Sequence, residues 1–245
     1  MQNLAVKTIR EIAVESPVTT RVFEEFKIDY CCHGNTLFDE ACRNAGASPD
    51  VVSQKIDHVL RVNHRPRLSF TAMSPTELVD HILEHHHVYT KQEMEQLTPL
   101  MEKVSRKHGE HYPYLNELKE VFKAVCDDLT PHMMKEEMVL FPYIKKLEKD
   151  VFNDTDAAPP PFGSVLNPIG MMRKEHDEVG SLLAKMRLLT NNYELPDGAC
   201  PSFSALFHRL EILERDMHQH IHLENNLLFP RAAELEEKAL SPAVQ

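Results

Sequence analysis

The chain of 245 residues has no tryptophan, only 7 glycines and only 5 cysteines. Scarce glycine, with no strand–turn–strand pattern, argues against a sandwich or barrel built of short strands. Five cysteines form an odd, sparse set, which excludes the disulfide scaffold of a small secreted domain. No apolar run approaches the roughly 20 residues needed to cross a bilayer. Residues 1–17 mix Lys7 and Arg10 with Glu11 and Glu15 and lack the apolar stretch of a signal peptide. Basic side chains are the minority, 27 against 38 acidic, for a formal net charge of −11. That balance disfavours nucleic acid or an anionic membrane surface as a partner. The expectation is a globular chain in the reducing cytoplasm.

What is abundant is histidine, 15 residues, alongside 11 methionines and a helical pattern nearly throughout. From Thr8 to about Leu60, short helical segments centre on Ala13, Phe23, Leu37 and Val51. They are separated by Ser16-Pro17, Cys32-His33-Gly34-Asn35 and Ser48-Pro49, so residues 1–65 read as a small helical domain. Val62 to Met73, with Pro66, reads as a linker. Ser74-Pro75-Thr76-Glu77 is a capping box with proline at the first helical position. Four long helices are expected after it. The first runs to about Lys107 with Pro99 as a kink point, and the second from Pro113 to Asp150, interrupted or bent at Pro131 and Pro142. After a stiff proline-rich loop, Asn153 to Phe162, the third runs from Pro168 to Asn191 and the fourth from Phe203 to Lys238. The fold class is all-α: an up-down-up-down four-helix bundle over residues 74–240, preceded by the small helical domain.

The bundle contains an internal repeat. His132 and Glu136 are followed by Leu140-Phe141-Pro142, and 88 positions later His220 and Glu224 are followed by Leu228-Phe229-Pro230. Both copies read H-x-x-x-E-x-x-x-L-F-P. A lone histidine stands 45 residues before the first copy, His87, and 44 before the second, His176. Each half is thus a helix with one histidine, then a helix with His and Glu four apart. Four residues is about 400° of rotation and 6 Å of rise, so each pair shares one helix face.

Two such hairpins about a pseudo-twofold axis would bring four imidazoles and two carboxylates into an apolar interior. There they must pair or bind metal. Imidazole and carboxylate donors without thiolate suit iron or manganese better than structural zinc. If both glutamates bridge, the six residues supply eight of the twelve positions around two six-coordinate ions. An oxo or hydroxo bridge supplies two more and leaves each ion one open position. The candidate metal ligands are therefore His87, His132, Glu136, His176, His220 and Glu224. A single H-x-x-x-E is usually a solvated pair; the two matched copies carry the assignment.

Other residues carry weaker signals. His85, His86, His218 and His222 lie about 100° or 200° round from the ligand faces and are expected at the surface or outside the ligand shell, as are His81, His108, His111 and His208. Met133-Met134 and Met171-Met172 read as core packing. Glu175 and Asp177 flank His176, either as carboxylates backing a ligand or as surface positions. Cys31 and Cys32 are adjacent, unsuited to a strain-free disulfide or a C-x-x-C knuckle. They are either a buried pair without chemistry or an exposed dithiol beside His33, able to take up iron, nitric oxide or oxidising equivalents. Cys42, Cys126 and Cys200 carry no motif.

Over nearly the whole chain the sequence resembles the "repair of iron centres" di-iron proteins of the hemerythrin-like superfamily. Ile9 to Ala13, Val22 to Gly34 and Leu37 to Ala41 resemble that family's cysteine-bearing domain. His132 to Glu137 with Leu140-Phe141-Pro142, Glu175 to Glu178, and His220 to Asn226 with Leu228-Phe229-Pro230 resemble its di-iron bundle. In the family a second glycine commonly follows the cysteines, where this chain has His33. An oxygen-carrying hemerythrin centre has an additional histidine, so the present site should be more open. The resemblance implies two non-haem irons on the same six residues, with manganese as an alternative metal. It implies a stress-response protein that donates iron to iron–sulfur proteins damaged by nitric oxide or peroxide, with Cys31 and Cys32 as transfer point or docking element. Two alternatives stay open: an enzyme reducing nitric oxide to nitrous oxide, and a module that binds or senses oxygen or nitric oxide. A homodimer is compatible with all three.

Overall fold

Four stretches of the chain place an apolar residue every three or four positions, and each folds as a helical rod. A computed structural model describes residues 4–62, 70–155 and 160–240; the linker around Pro66 and part of the proline-rich loop lie outside the described residues. The first rod is α5 (Pro75–His81), a π turn (Ile82–His87) and α6 (Val88–His108). The second is α7 (Tyr114–Lys135), a π turn (Glu136–Leu140) and α8 (Phe141–Phe152). The third, α9 (Leu166–Leu189), is uninterrupted, and the fourth is α10 (Pro201–Leu223), a π turn (Glu224–Leu228) and α11 (Phe229–Leu240). Consecutive rods pack side by side and the fourth closes on the first, giving the expected four-helix bundle. The capping box forms as read: Ser74 Oγ accepts from the Glu77 amide and the Glu77 carboxylate accepts from the Ser74 amide.

The rods are less broken than the prolines suggested. Pro99 and Pro131 sit inside α6 and α7 without ending them. Pro131 is exposed, so the carbonyl that its missing N–H leaves free can be hydrated. Pro142 and Pro230 follow the π turns that open at Glu136 and Glu224, where the widened turn takes up the lost α-helical bond.

The bundle core is two apolar blocks with a polar layer between them. One block holds Leu97, Leu118, Val125, Leu183, Phe207 and Leu213; the other holds Leu78, Ile82, Ile144, Val165, Leu227 and Ala232. On α9 the buried residues are Ile169, Met172, His176, Val179, Leu183 and Met186, so His176 occupies a regular core position between the blocks. The methionine pairs divide. Met133 and Met172 are buried, but Met134 and Met171 are exposed, because neighbours on a helix point about 100° apart.

The N-terminal helices α1 (Ile9–Glu15), α2 (Thr20–Glu25), α3 (Phe38–Asn44) and α4 (Pro49–Val62) surround their own core of Ile9, Phe23, Phe38 and Ile56. This module docks on the fourth rod through the loop that carries the cysteines. Asn226 Nδ2 donates to the Tyr30 carbonyl at 2.9 Å, Asn225 Nδ2 donates to the Cys31 carbonyl at 3.2 Å, and the Tyr30 ring meets the edge of His222. Gly34 fits closely at this seam: a Cβ there would lie 3.0 Å from Asn226 Oδ1 and 3.1 Å from the Tyr30 carbonyl and from Arg10 Cβ, so these neighbours would have to give by a few tenths of an ångström. Replacing Asn226 by Ala strands the buried Tyr30 carbonyl. The expected cost is about 1–3 kcal/mol, read as a lower melting temperature with faster proteolysis of the module; unchanged values for both would mean that this bond does not hold the module.

Candidate metal centre

In the polar layer each rod contributes at one level: His87 ends the first π turn, His132 and Glu136 lie either side of the start of the second, His176 is mid-α9, and His220 and Glu224 repeat the pattern on the fourth rod. All six are at most 1% exposed. Their ligand atoms form two groups, His87, Glu136, His220, Glu224 and His132, Glu136, His176, Glu224; within each, all atoms lie within 4.8 Å of one another. The glutamates are common to both. The Nε2 atoms of His87 and His132 lie 3.4 and 3.3 Å from Glu136 Oε2, while those of His176 and His220 lie 3.0 and 2.9 Å from the oxygens of Glu224.

The outer face of each ring explains why these nitrogens face inward. His87 Nδ1 donates to Glu137 and His132 Nδ1 to Glu175, each at 2.8 Å, and His176 Nδ1 donates to Asn225 Oδ1 at 3.1 Å. Lys91 pairs with Glu137 and Lys135 with Glu175, which keeps those carboxylates charged. An acceptor at Nδ1 places the proton there and leaves Nε2 with a bare lone pair. The Nε2 atoms of His132 and His176 then face each other at 3.2 Å with no proton to share. Those of His87 and His220 are also 3.2 Å apart. Both oxygens of Glu136, Glu224 Oε2 and His220 Nδ1 have no hydrogen-bond partner among the described residues. Burial and the charge of Glu224 push Glu136 well above the usual carboxylate range; burial pushes Glu224 the same way, but His220 and His176 hold it low. Facing lone pairs around two dry carboxylates are the donor set of a cation, and the residues fit imidazole–carboxylate metal binding.

The repeat's Leu-Phe-Pro also acquires a role. Phe141 packs on the ring of His87 with centroids 5.6 Å apart, and Phe229 lies parallel to His176 at 6.0 Å. Each lone histidine is thus held by the phenylalanine that follows a repeat glutamate.

The structure redistributes several of the expected roles. Glu175 backs His132, whereas Asp177 is exposed beside the cysteine loop and touches no ligand. The dithiol is not simply exposed: Cys31 is 5% exposed and only Cys32 is half-buried, their sulfurs 3.7 Å apart. Contact with Cys32 and burial push the Cys31 thiol well up. Asp29 organises the loop, accepting from the amides of Cys31 and Cys32 at 3.0 and 2.9 Å and from His33 Nδ1 at 2.6 Å. A cleft of about 470 Å³ opens beside these residues, lined also by Lys27, Gly180 and Arg187. His86 and His222, read as outside the ligand shell, are buried; His86 bonds Asp216 and stacks on His220, and His222 meets Asn226 under the module. His218 bonds Glu24 of the module at 2.7 Å. The roles of Glu137 and Asn225 were not read from the sequence, although they hold one repeat position, immediately after each ligand glutamate. No helix among the described residues is long and apolar enough to cross a membrane.

A carboxyl retained for binding rather than for folding gives a specific outcome on substitution. Glu136→Gln should leave the metal-free protein at least as stable, within about 1 kcal/mol. It should remove at least one site's share of the rise in melting stability with Fe(II), about 2.7 kcal/mol per site at one hundred times the dissociation constant. Thermal melts with and without Fe(II) check this; a destabilised metal-free variant, or an undiminished rise, would contradict it.

Comparison with known proteins places this geometry. Residues 78–232 match the hemerythrin HHE cation binding domain, and residues 5–60 match ScdA_N, a domain of unknown function. The chain is 29% identical to the iron–sulfur cluster repair protein ScdA of Staphylococcus haemolyticus, over 90% of this chain and 95% of that one. It is 30% identical to a probable iron–sulfur cluster repair protein of Haemophilus influenzae, over 94% and 97% of the two chains. With the iron–sulfur cluster repair protein YtfE of Yersinia pseudotuberculosis it shares 31% identity, over 92% and 96%.

Proposed function

The chain belongs to the iron–sulfur cluster repair family, and we propose from that premise that it restores damaged iron–sulfur clusters by supplying iron from a di-iron site. The observation that carries the reading is the double ligand group in the polar layer, two pairs of inward Nε2 atoms sharing Glu136 and Glu224. One iron would be held by His87 and His220, the other by His132 and His176, and the two glutamates would serve both. The iron is cargo for a cluster that has lost metal.

The protein's own residues account for binding that is specific yet reversible. Four neutral imidazoles and two carboxylates under-fill the coordination of two irons, so protein ligands enclose neither ion completely. Thiolate is absent from the pocket, and the cysteines stand outside it with Cys32 facing the cleft. Cys31 and Cys32 act where the iron passes to a client iron–sulfur protein. Their loop touches the centre only at its wall, through the Cys31 carbonyl on Asn225 and Cys32 Sγ 3.8 Å from the His176 carbonyl.

Anaerobically prepared protein should carry two irons per chain and restore a dehydratase whose [4Fe–4S] cluster has lost iron to peroxide or nitric oxide. Glu136→Ala should lose at least one iron and the repair with it. Retention of two metals would overturn the ligand assignment. Cys31→Ser with Cys32→Ser should keep both irons and lose delivery; undiminished delivery would remove the thiols from the transfer step.

A further inference from the structure

The two halves of the centre are built from one repeat, so differences between them stand out by register. The residue after each repeat glutamate binds the lone histidine of the same half: Glu137 on His87, Asn225 on His176. The residue before each lone histidine meets the repeat histidine of the other half: Glu175 meets His132 and His86 meets His220. Only the first of these is a hydrogen bond. His86 stacks on His220 with centroids 5.6 Å apart and planes 16° from parallel, and its Nδ1 is turned to Asp216. His220 Nδ1 is left buried without a hydrogen-bond partner among the described residues. The His132–His176 position therefore has both imidazoles fixed from outside, and the His87–His220 position has one. A carboxylate or carbonyl behind a ligating imidazole fixes its orientation and raises its basicity.

A second difference is independent of the first. Asn225, which holds His176, is itself clamped to the Cys31 carbonyl; the N-terminal module meets His222 and Asn226, and these two and Leu227 are buried. The residues at the same register in the other half, Met134, Met138 and Val139, are 59%, 73% and 44% exposed. Among the described residues, the N-terminal module makes no such contact on that side, where Glu137 holds His87.

We infer that the two metal positions are unequal: the one lined by His87 and His220 releases its metal, and the one lined by His132 and His176 retains it. This rests on the di-iron reading above and names which iron is the cargo. His86 is the residue that sets the difference, because it occupies the place of Glu175 without supplying an acceptor.

The test is metal release, independent of repair activity. Protein loaded anaerobically with two equivalents of Fe(II) and mixed with excess chelator should release iron in two equal phases, their rates about 10–100-fold apart. Glu175→Gln should speed the slow phase and leave the fast one unchanged; Glu137→Gln should do the reverse. His86→Glu with Asp216→Asn, which places an acceptor behind His220, should slow the fast phase. If that double variant does not fold, the two glutamine variants still decide. A single release phase in the parent protein, or Glu175→Gln acting on the fast phase, overturns the inference while two bound irons leave the di-iron reading standing. Failure to bind a second iron would instead overturn that reading.

Discussion

The constraint on which the rest of the structure depends is the company kept by Glu136 and Glu224. Two carboxylates with no exposure sit among four imidazoles whose inward nitrogens approach in pairs at 3.2 Å. Three of the rings have a proton claimed at Nδ1 by Glu137, Glu175 and Asn225, so as neutral imidazoles they turn bare lone pairs inward. The bundle tolerates the mismatch because apolar blocks above and below carry the folding energy. The layer is a binding device held in place by a fold that does not need it.

That division of labour accounts for the local irregularities. Three of the four rods widen into a π turn at the level of the ligands, and the third, whose ligand falls on a regular core position, does not. A π turn shifts the phase of all that follows, so Phe141 and Phe229 come round onto the lone histidines while the second apolar block stays in register. Proline after the turn makes a return to α-helical bonding across that turn unfavourable. The motif H-x-x-x-E-x-x-x-L-F-P thus encodes two members of the polar layer, a widened turn, a packing residue and a lock.

How much of this was legible in the sequence follows from the range of the interactions. The bundle, its helix spans and the six residues that converge could be read because apolar period and repeat register are local and periodic. The π turns could not, since their cause is the demand of the assembled layer on each rod. The partial covering of His218 and the burial of His222 were also invisible, because what covers them, Glu24 and Tyr30, lies nearly two hundred positions away in the chain. Other signals were present and misread. Met134 cannot share the buried face of Met133 on a helix with about 100° between neighbours. Glu137 and Asn225 hold one register position, and the repeat alone marks them as a pair with a common task.

The N-terminal module bears on the centre in a way that its cysteines obscure. Sequence draws attention to the thiols, yet what reaches the metal pocket is main chain: the Cys31 carbonyl holds Asn225, and Asn225 orients His176. The sulfurs point away from that contact, Cys31 toward Asp29 and Cys32 toward the cleft and the α9 backbone. Scaffold and chemistry are thus separable within two residues. A change in loop conformation that moves the Cys31 carbonyl would reach His176 through Asn225. The module is therefore tied to one half of a pseudo-symmetric centre and indifferent to the other. A single docked domain in this way gives two halves built from one repeat different surroundings.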